Sequence, residues 1–206
     1  MSTEPLPLPE LLPIAPAGRR SSADADERRL LGLVMQGDMA AFETLYRIYH
    51  PRLSRFLQRM LRPPHLVEEV LNDCLLVVWH RAERYNFTSR VSTWIFAIAY
   101  RKALKALSRH DDPVAWDDEN AQGQVADEAR PEDRLGRTQQ RAAIERALER
   151  LSSDQRAAVE LTYFHGFSYP EIAAIVDCPV DTVKTRMFHA RRRLKLALGG
   201  GLEDWL

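Results

Sequence analysis

Apolar residues recur along this chain at spacings of three and four, and period-two alternation is never sustained, so the pattern predicts helices and no sheet. The helices fall into two blocks, at about 27–109 and about 138–198. In the first, Asp24 or Asp26 can cap a helix running to Gly37. Asp38 can cap the next, which puts Phe42, Leu45, Ile48 and Tyr49 on one side, and Pro51 inside it is expected to kink or divide it. Pro63 and Pro64 open a third helix, to about Arg84, and a fourth runs from about Val91 to Arg109. In the second block, Ser152 with Gln155 and Ser168 with Glu171 have capping-box spacing. The first pair precedes a helix ending before Gly166, and the second has Pro170 in its first turn. The expected fold is all-α: two small helical domains, one of four helices and one ending in a helix-turn-helix, joined by a flexible acidic linker.

Charge divides the chain more sharply than hydropathy does. Between 111 and 133 stand Asp111, Asp112, Asp117, Asp118, Glu119, Asp127, Glu128, Glu132 and Asp133 against the single basic Arg130, with few large apolar residues. Such a stretch is expected to be solvated, which makes 110–137 a linker between domains at 27–109 and 138–198, with a short tail at 199–206. Residues 1–26 read as a disordered arm: Pro5, Pro7, Pro9, Pro13 and Pro16 interrupt any apolar run, and Arg19 and Arg20 follow that run rather than precede it, so no signal peptide is expected. No stretch reaches the roughly 18 consecutive apolar residues of a membrane span, and a cytoplasmic location is expected. Cys74 and Cys178 lie in separate apolar helical patterns without metal spacing and read as unpaired thiols; no metal or cofactor is expected. No Ser/His/Asp or Cys/His set, phosphate loop or paired carboxylates points to catalysis, and the chain reads as a non-enzyme.

The formal net charge is zero, so any case for nucleic-acid binding rests on where charge is concentrated. It is concentrated in SYPEIAAIVDCPVDTVKTRMFHARRRLKL, residues 168–196. A short capped helix to Val176, a turn at Asp177–Pro179 and a longer helix from Val180 to about Leu198 have the helix-turn-helix arrangement, whose second helix enters the major groove. Val183, Met187, Ala190 and Leu194 form one stripe of that helix and should pack on Ile172, Ala173 and Ile175. Lys184, Thr185, Phe188, His189 and Arg192 face the other way, flanked by Thr182, Arg186, Arg191, Arg193 and Lys195, and from Thr182 onward no acid occurs in the helix. Cations there attract phosphate, side chains near the helix start reach base edges, and Phe188 suits a thymine methyl or a sugar. The bland alternative is a solvated, arginine-rich terminal helix whose cations favour the helix dipole.

Two further surfaces stand out in the first block. On the third helix, Leu66, Val67, Val70, Leu71, Cys74, Leu75, Val77 and Val78 should be core, while Glu68, Glu69, Asn72, Asp73 and His80 share the other side with Leu76 and Trp79. Large apolar residues framed by carboxylates suggest a protein interface, unless Trp79 leans into the core. The fourth helix has a core stripe of Phe96, Ala99, Tyr100, Ala103 and Leu107, with Trp94, Ile98, Arg101, Lys102, Lys105 and Arg109 elsewhere. Ahead of it, Tyr85, Asn86, Phe87, Thr88, Ser89 and Arg90 combine aromatics that can stack bases with amides, hydroxyls and cations, as single-stranded DNA requires. Alternatively, Tyr85 and Phe87 cover the edge of the core.

Taken in order, GDMAAFETLYRIYHPRL, VEEVLNDCLLVVWHRAERYNF, VSTWIFAIAYRKAL and ALERLSSDQRAAVELTYFHGFSYPEIAAIVDCPVDTVKTRMFHARRRL resemble the sigma-70 family and, within it, the compact extracytoplasmic-function (ECF) sigma factors. The similarity covers about 30–109 and 140–198. It implies that Glu69, Asn72, Asp73 and Leu76 dock on a coiled coil of core RNA polymerase. It implies that Tyr85, Asn86, Phe87, Thr88, Ser89, Arg90, Trp94, Arg101, Lys102 and Lys105 hold the melted −10 promoter strand. It further implies that Thr182, Lys184, Thr185, Arg186, Phe188, His189 and Arg192 meet the −35 duplex. An anti-sigma factor is an implied partner, and the acidic linker is expected to thread the polymerase's RNA-exit region. The chain departs from the family's habits at Asn72 and Asp73, where glutamine and glutamate are frequent, and at Lys102, Asp181 and His189, which bear on the promoter sequence. The competing reading is a dimeric helix-turn-helix regulator that never joins the polymerase, which would not need the acid-framed helix or the aromatic loop. A pure interaction protein with a degenerate helix-turn-helix fits the intact basic face poorly.

Overall fold

A computed structural model of the chain describes residues 17–61, 63–110 and 143–198, and every regular element among them is helical. The acidic stretch expected as a linker, most of the proline-rich arm and the tail from 199 lie outside the described residues. The first four helices are α1 (Ala17–Val34), α2 (Met39–Met60), α3 (Pro64–His80) and α4 (Val91–His110), with a 3-10 turn at Ala82–Arg84. The second set is α5 (143–149), α6 (Ser153–Val159) continuing as a π turn (Glu160–Phe164), α7 (Tyr169–Val176) and α8 (Val180–Ala197).

Local chemistry sets most boundaries where the sequence places them. Asp38 accepts from the Ala40 and Ala41 amides at 2.9 and 3.0 Å and so starts α2, after Gly37 has turned the chain at a φ of +84°. Ser152 accepts from the Gln155 amide, but the Gln155 side chain takes Arg193 instead of closing the box. Glu171 closes its own, accepting from both the amide and the hydroxyl of Ser168.

Three expectations are corrected. α1 starts at Ala17, so residues 17–26, expected in the arm, are helical, and neither Asp24 nor Asp26 is its cap; Asp24 instead pairs with Arg28 one turn on and with Arg90 across the fold. Pro51 does not divide α2: it is exposed, water can reach the carbonyl it leaves unbonded, and buried Tyr49, Leu53, Phe56 and Leu57 hold both halves on the core. Ile48, expected on the core side of α2, is exposed.

The two sets of helices are docked together. Leu45, Leu53, Leu71, Ile95 and Phe96 belong to the same apolar cluster as Leu161, Ile172, Val183 and Met187. α4 packs on α7, and α2 on α6. At the junction His165 stands 4.8 Å from the Phe96 ring and 5.9 Å from that of Phe56, and Phe167 lies 5.0 Å from Phe96. Burial pushes His165 down to about 3, helped by Arg52 and Arg55. Nearby, Glu160 is almost fully buried, and that burial pushes its carboxyl up to about 7 although Arg59 stands 3.8 Å away and Arg156 also favours the anion.

The folded state therefore keeps a proton on Glu160 that the unfolded chain releases, and ionisation opposes folding progressively as pH rises from about 4.5 to about 7. Glu160→Gln should match the parent's stability near the lower limit and exceed it increasingly towards the upper one. Urea unfolding across that pH range checks this, and a gap that stays constant refutes it.

Candidate nucleic-acid and protein interfaces

The helix-turn-helix is built as its sequence requires. α7 ends at Asp177, whose φ of +53° is a left-handed turn that aspartate tolerates, and the Cys178 amide bonds back to the Ala173 carbonyl. α8 then crosses with Val183, Met187, Ala190 and Leu194 buried on Ile172, Ala173 and Ile175, as expected. Lys184, Thr185, Phe188, His189 and Arg192 are all exposed, Phe188 at 64%. Its ring meets His189 edge-on, which makes one aromatic ridge on the outer face. Thr182 is half-buried. Arg186 is not presented outward: it pairs with Asp154 of α6 and contacts the Cys178 sulfur. Lys184 is held 2.9 Å from Asp181. Arg191 and Arg193 have neutral partners, Tyr163 and Gln155.

The loop before α4 has a tighter design than its sequence suggests. Asn86 accepts from both the amide and the hydroxyl of Thr88, an Asx turn that holds Phe87 between them at a φ of +60°. That conformation costs a non-glycine residue roughly 1–2 kcal/mol. Arg28 of α1 braces it, donating to the carbonyls of Phe87 and Ser89 at 3.1 Å each. As a result Phe87 stands 46% exposed, while Tyr85 is buried with its hydroxyl on the Ser89 carbonyl and its ring against Phe87 and Trp94. Tyr85 thus belongs to the core edge and supports the loop; Asn86, Phe87 and Thr88 are the exposed members of the set. Ser89, Arg90 and Trp94 are half-buried, and Arg90 bonds Glu171 of α7 at 3.2 Å. On α4, Arg101 and Lys105 are exposed, and Lys102 pairs with Asp73 of α3 at 2.7 Å. That pair joins two residues to which the family resemblance gives different partners.

On α3 the seven positions Leu66, Val67, Val70, Leu71, Cys74, Leu75 and Val78 are buried, with Val77 half-buried. Burial pushes the Cys74 thiol up to about 12, so it is no thiolate near neutrality. Glu69, Asn72, Asp73 and Leu76 are exposed, Leu76 at 54%. Trp79 leans onto Phe42, with rings 5.1 Å apart, and is half-buried. Together Met39, Phe42, Tyr46, Asn72, Leu75, Leu76 and Trp79 line one shallow apolar hollow between α2 and α3. Neither Met39 nor Tyr46 stands out in the sequence for this role, and their spacing with Phe42 along one edge of α2 is the signal that was available. Arg28 and Asp154 do not stand out either, since their partners lie far away in sequence.

Arg28→Ala should release both carbonyls. Amide hydrogen exchange should accelerate within 85–90 while the thermal midpoint moves by only a few degrees; unchanged exchange in that loop would show that the Asx turn alone suffices.

Comparison with known proteins adds the following. The family model for sigma-70 region 2 matches residues 45–112, and that for sigma-70 region 4 matches residues 141–194. Among curated proteins, the chain is 29% identical over 180 residues to the RNA polymerase sigma-H factor of Pseudomonas aeruginosa, covering 84% of this chain and 93% of that one. It is 28% identical over 181 residues to the ECF RNA polymerase sigma-E factor of Escherichia coli, covering 84% and 94%. Two solved structures share the fold. CnrH in complex with the cytosolic domain of CnrY matches with a TM-score of 0.63 at 22% identity, over 84% of this chain and 97% of that one. RpoE in complex with the anti-sigma factor NepR from Bartonella quintana matches with a TM-score of 0.62 at 24% identity, over 76% and 96%.

Proposed function

Because this chain belongs to the sigma-70 family, with its curated relatives in the ECF group, we propose that it joins core RNA polymerase through the α2–α3 hollow and carries it to promoters read by the loop before α4 and by α8. The chain is a sigma factor. It positions the polymerase, which supplies the chemistry, and it acts in the cytoplasm, where polymerase and promoter meet; no described helix is long and apolar enough to cross a membrane.

Polymerase docking would use Leu76 as apolar anchor, with Met39, Tyr46 and Trp79 around it and Glu69, Asn72 and Asp73 as its polar rim. Promoter melting would use Phe87, which the braced turn holds out where an unpaired base can stack on it, with Asn86 and Thr88 beside it for base edges and Arg101 and Lys105 for phosphates. Duplex recognition would use Lys184, Thr185, Phe188, His189 and Arg192 on the exposed side of α8. The observation that carries the reading is that Leu76 on α3, Phe87 in the braced turn and Phe188 on α8 stand exposed beside polar or cationic side chains, while α3, α4 and α8 bury their other faces. An anti-sigma partner is part of the proposal, since both fold neighbours were captured with partner proteins, one of them named as an anti-sigma factor.

Run-off transcription by core polymerase on a pooled library of promoter-like duplexes tests this. Initiation should depend on the chain and fall with Leu76→Glu or Asp73→Arg through lost polymerase affinity. Lys184→Ala should instead alter which templates are used. Because Leu76 and Lys184 are exposed, the stability of those two variants should stay within about 0.5 kcal/mol of the parent, whereas Asp73→Arg also loses the pair with Lys102. Binding of the duplexes without polymerase, and no dependent initiation, would return the chain to the dimeric regulator.

A further inference from the structure

The hollow between α2 and α3 combines aromatic walls with unused hydrogen-bond donors. The Phe42 ring lies 5.1 Å from that of Trp79 and 6.4 Å from that of Tyr46, and the exposed Met39 and Leu76 stand beside them. No charged side chain lines it among the described residues. The Tyr46 hydroxyl, the Trp79 indole N–H and the Asn72 amide border the same space, and none of the three has a hydrogen-bond partner among the described residues. At about 210 Å³ the hollow is smaller than the roughly 300–1,000 Å³ of a small-molecule pocket, so it suits a few side chains of a peptide laid across it.

Rings with donors between them match a proline-rich strand. A polyproline II helix has no internal hydrogen bonds, so its carbonyls must find donors elsewhere, and its pyrrolidine rings pack on aromatic walls. The chain carries such a segment itself: Pro5, Leu6, Pro7, Leu8 and Pro9 stand between Glu4 and Glu10 without a charge among them. Each proline fixes φ at about −65° and pushes the residue before it into extended backbone, so this sequence favours polyproline II. At about three residues per turn and about 3.1 Å per residue, Leu6 and Pro9 share one edge of that helix, roughly 9 Å apart.

The reach also fits. α1 returns antiparallel along α2 after the turn at Gly37, and the Tyr49 hydroxyl donates to Glu27 at 2.6 Å, which sets those two residues level. Ala17, at the start of α1, then lies roughly 15 Å beyond that level at about 1.5 Å per residue. Tyr46 and Met39 lie roughly 5 and 15 Å to the other side of it on the same scale, so the hollow is about 20–30 Å from Ala17 along the bundle. At about 3.1 Å per residue, Pro9 stands about 25 Å and Pro5 about 37 Å of chain before Ala17, enough to reach the hollow and to pass round the helix pair.

We propose that residues 5–9 dock in the α2–α3 hollow of their own chain and there compete with core polymerase, so that the arm tunes the affinity of the sigma factor for the enzyme. This rests on the polymerase-docking reading above. Proline rings lie on Phe42 and Trp79, while Tyr46, Trp79 and Asn72 donate to carbonyls of the segment. Arm and polymerase exclude each other because both need the exposed Leu76 and Trp79.

A nitroxide at Thr3→Cys of the full chain, in a Cys178→Ser background with Cys74 buried, tests the contact by its effect on the indole N–H resonance of Trp79. That resonance should broaden in the parent. It should recover when Pro5→Gly, Pro7→Gly and Pro9→Gly are combined, and in part with Tyr46→Phe, which deletes a single donor. The triple glycine variant should also bind core polymerase at least threefold more tightly. No broadening in the parent overturns the proposal. So does equal broadening when the nitroxide sits on one chain and the observed Trp79 on another, which would place the arm on a second copy. Unchanged polymerase affinity in the triple variant overturns the competition. Broadening as expected, with no polymerase binding by either protein, refutes instead the docking reading on which the competition depends.

Discussion

The structure depends on the double burial of α4. An ordinary surface helix hides one stripe, but here Val91, Ile95, Phe96, Ala97, Ala99, Tyr100 and Ala103 are all buried, together with Ser92 and Thr93. One side closes the first four-helix unit against α2 and α3, and the other receives α7. Small residues at 97, 99 and 103 let neighbours approach closely, and Phe96 sits at the centre, in contact with Phe56, His165 and Phe167. Because the loop 85–90 leads directly into this helix, the position of Phe87 and Arg90 is set by whatever α4 packs on. The fold and the loop 85–90 are thus mechanically one object.

That double burial also explains what the sequence conveyed and what it hid. Element type and most caps were legible, though not α5 at 143–149, since Asp38, Gly37, Pro64, Ser168 with Glu171, and the stripe of α8 act within a turn or two of their own position. Contacts between remote segments were not. Phe96, Ala99, Tyr100, Ala103 and Leu107 stand out in the sequence as a core stripe, and the second buried side does not, because periodicity shows one apolar side clearly and a second only as a dilution of polarity. Tyr85 was grouped with Phe87 for the same reason: adjacent aromatics in a polar loop look alike until Asn86 and Arg28 turn one outward and leave the other inside. Arg90 and Arg186 looked like free cations, and their acids, Glu171 and Asp154, lie 81 and 32 positions away.

The charge pattern follows the same logic. The chain has zero net charge beside a helix that is basic and free of acids from Thr182 onward, so the case for nucleic-acid binding rests on where charge is concentrated. The described residues show several cations already paired: Lys184 is answered by Asp181, Arg186 by Asp154, Lys102 by Asp73 and Arg90 by both Asp24 and Glu171. A cation still paired with a carboxylate neutralises no phosphate and so releases none of the counterions condensed on DNA, which leaves it adding little to the salt-dependent attraction. In the proposed promoter complex it would add specificity instead, because the pair breaks only where a phosphate or base edge replaces the lost acid in good geometry. Arg191 and Arg193, whose partners are the neutral Tyr163 and Gln155, keep their full charge. In the proposed promoter complex they and the exposed Arg192 and Lys195 would supply the general pull toward DNA, while the internally paired residues nearer the start of α8 would supply the discrimination.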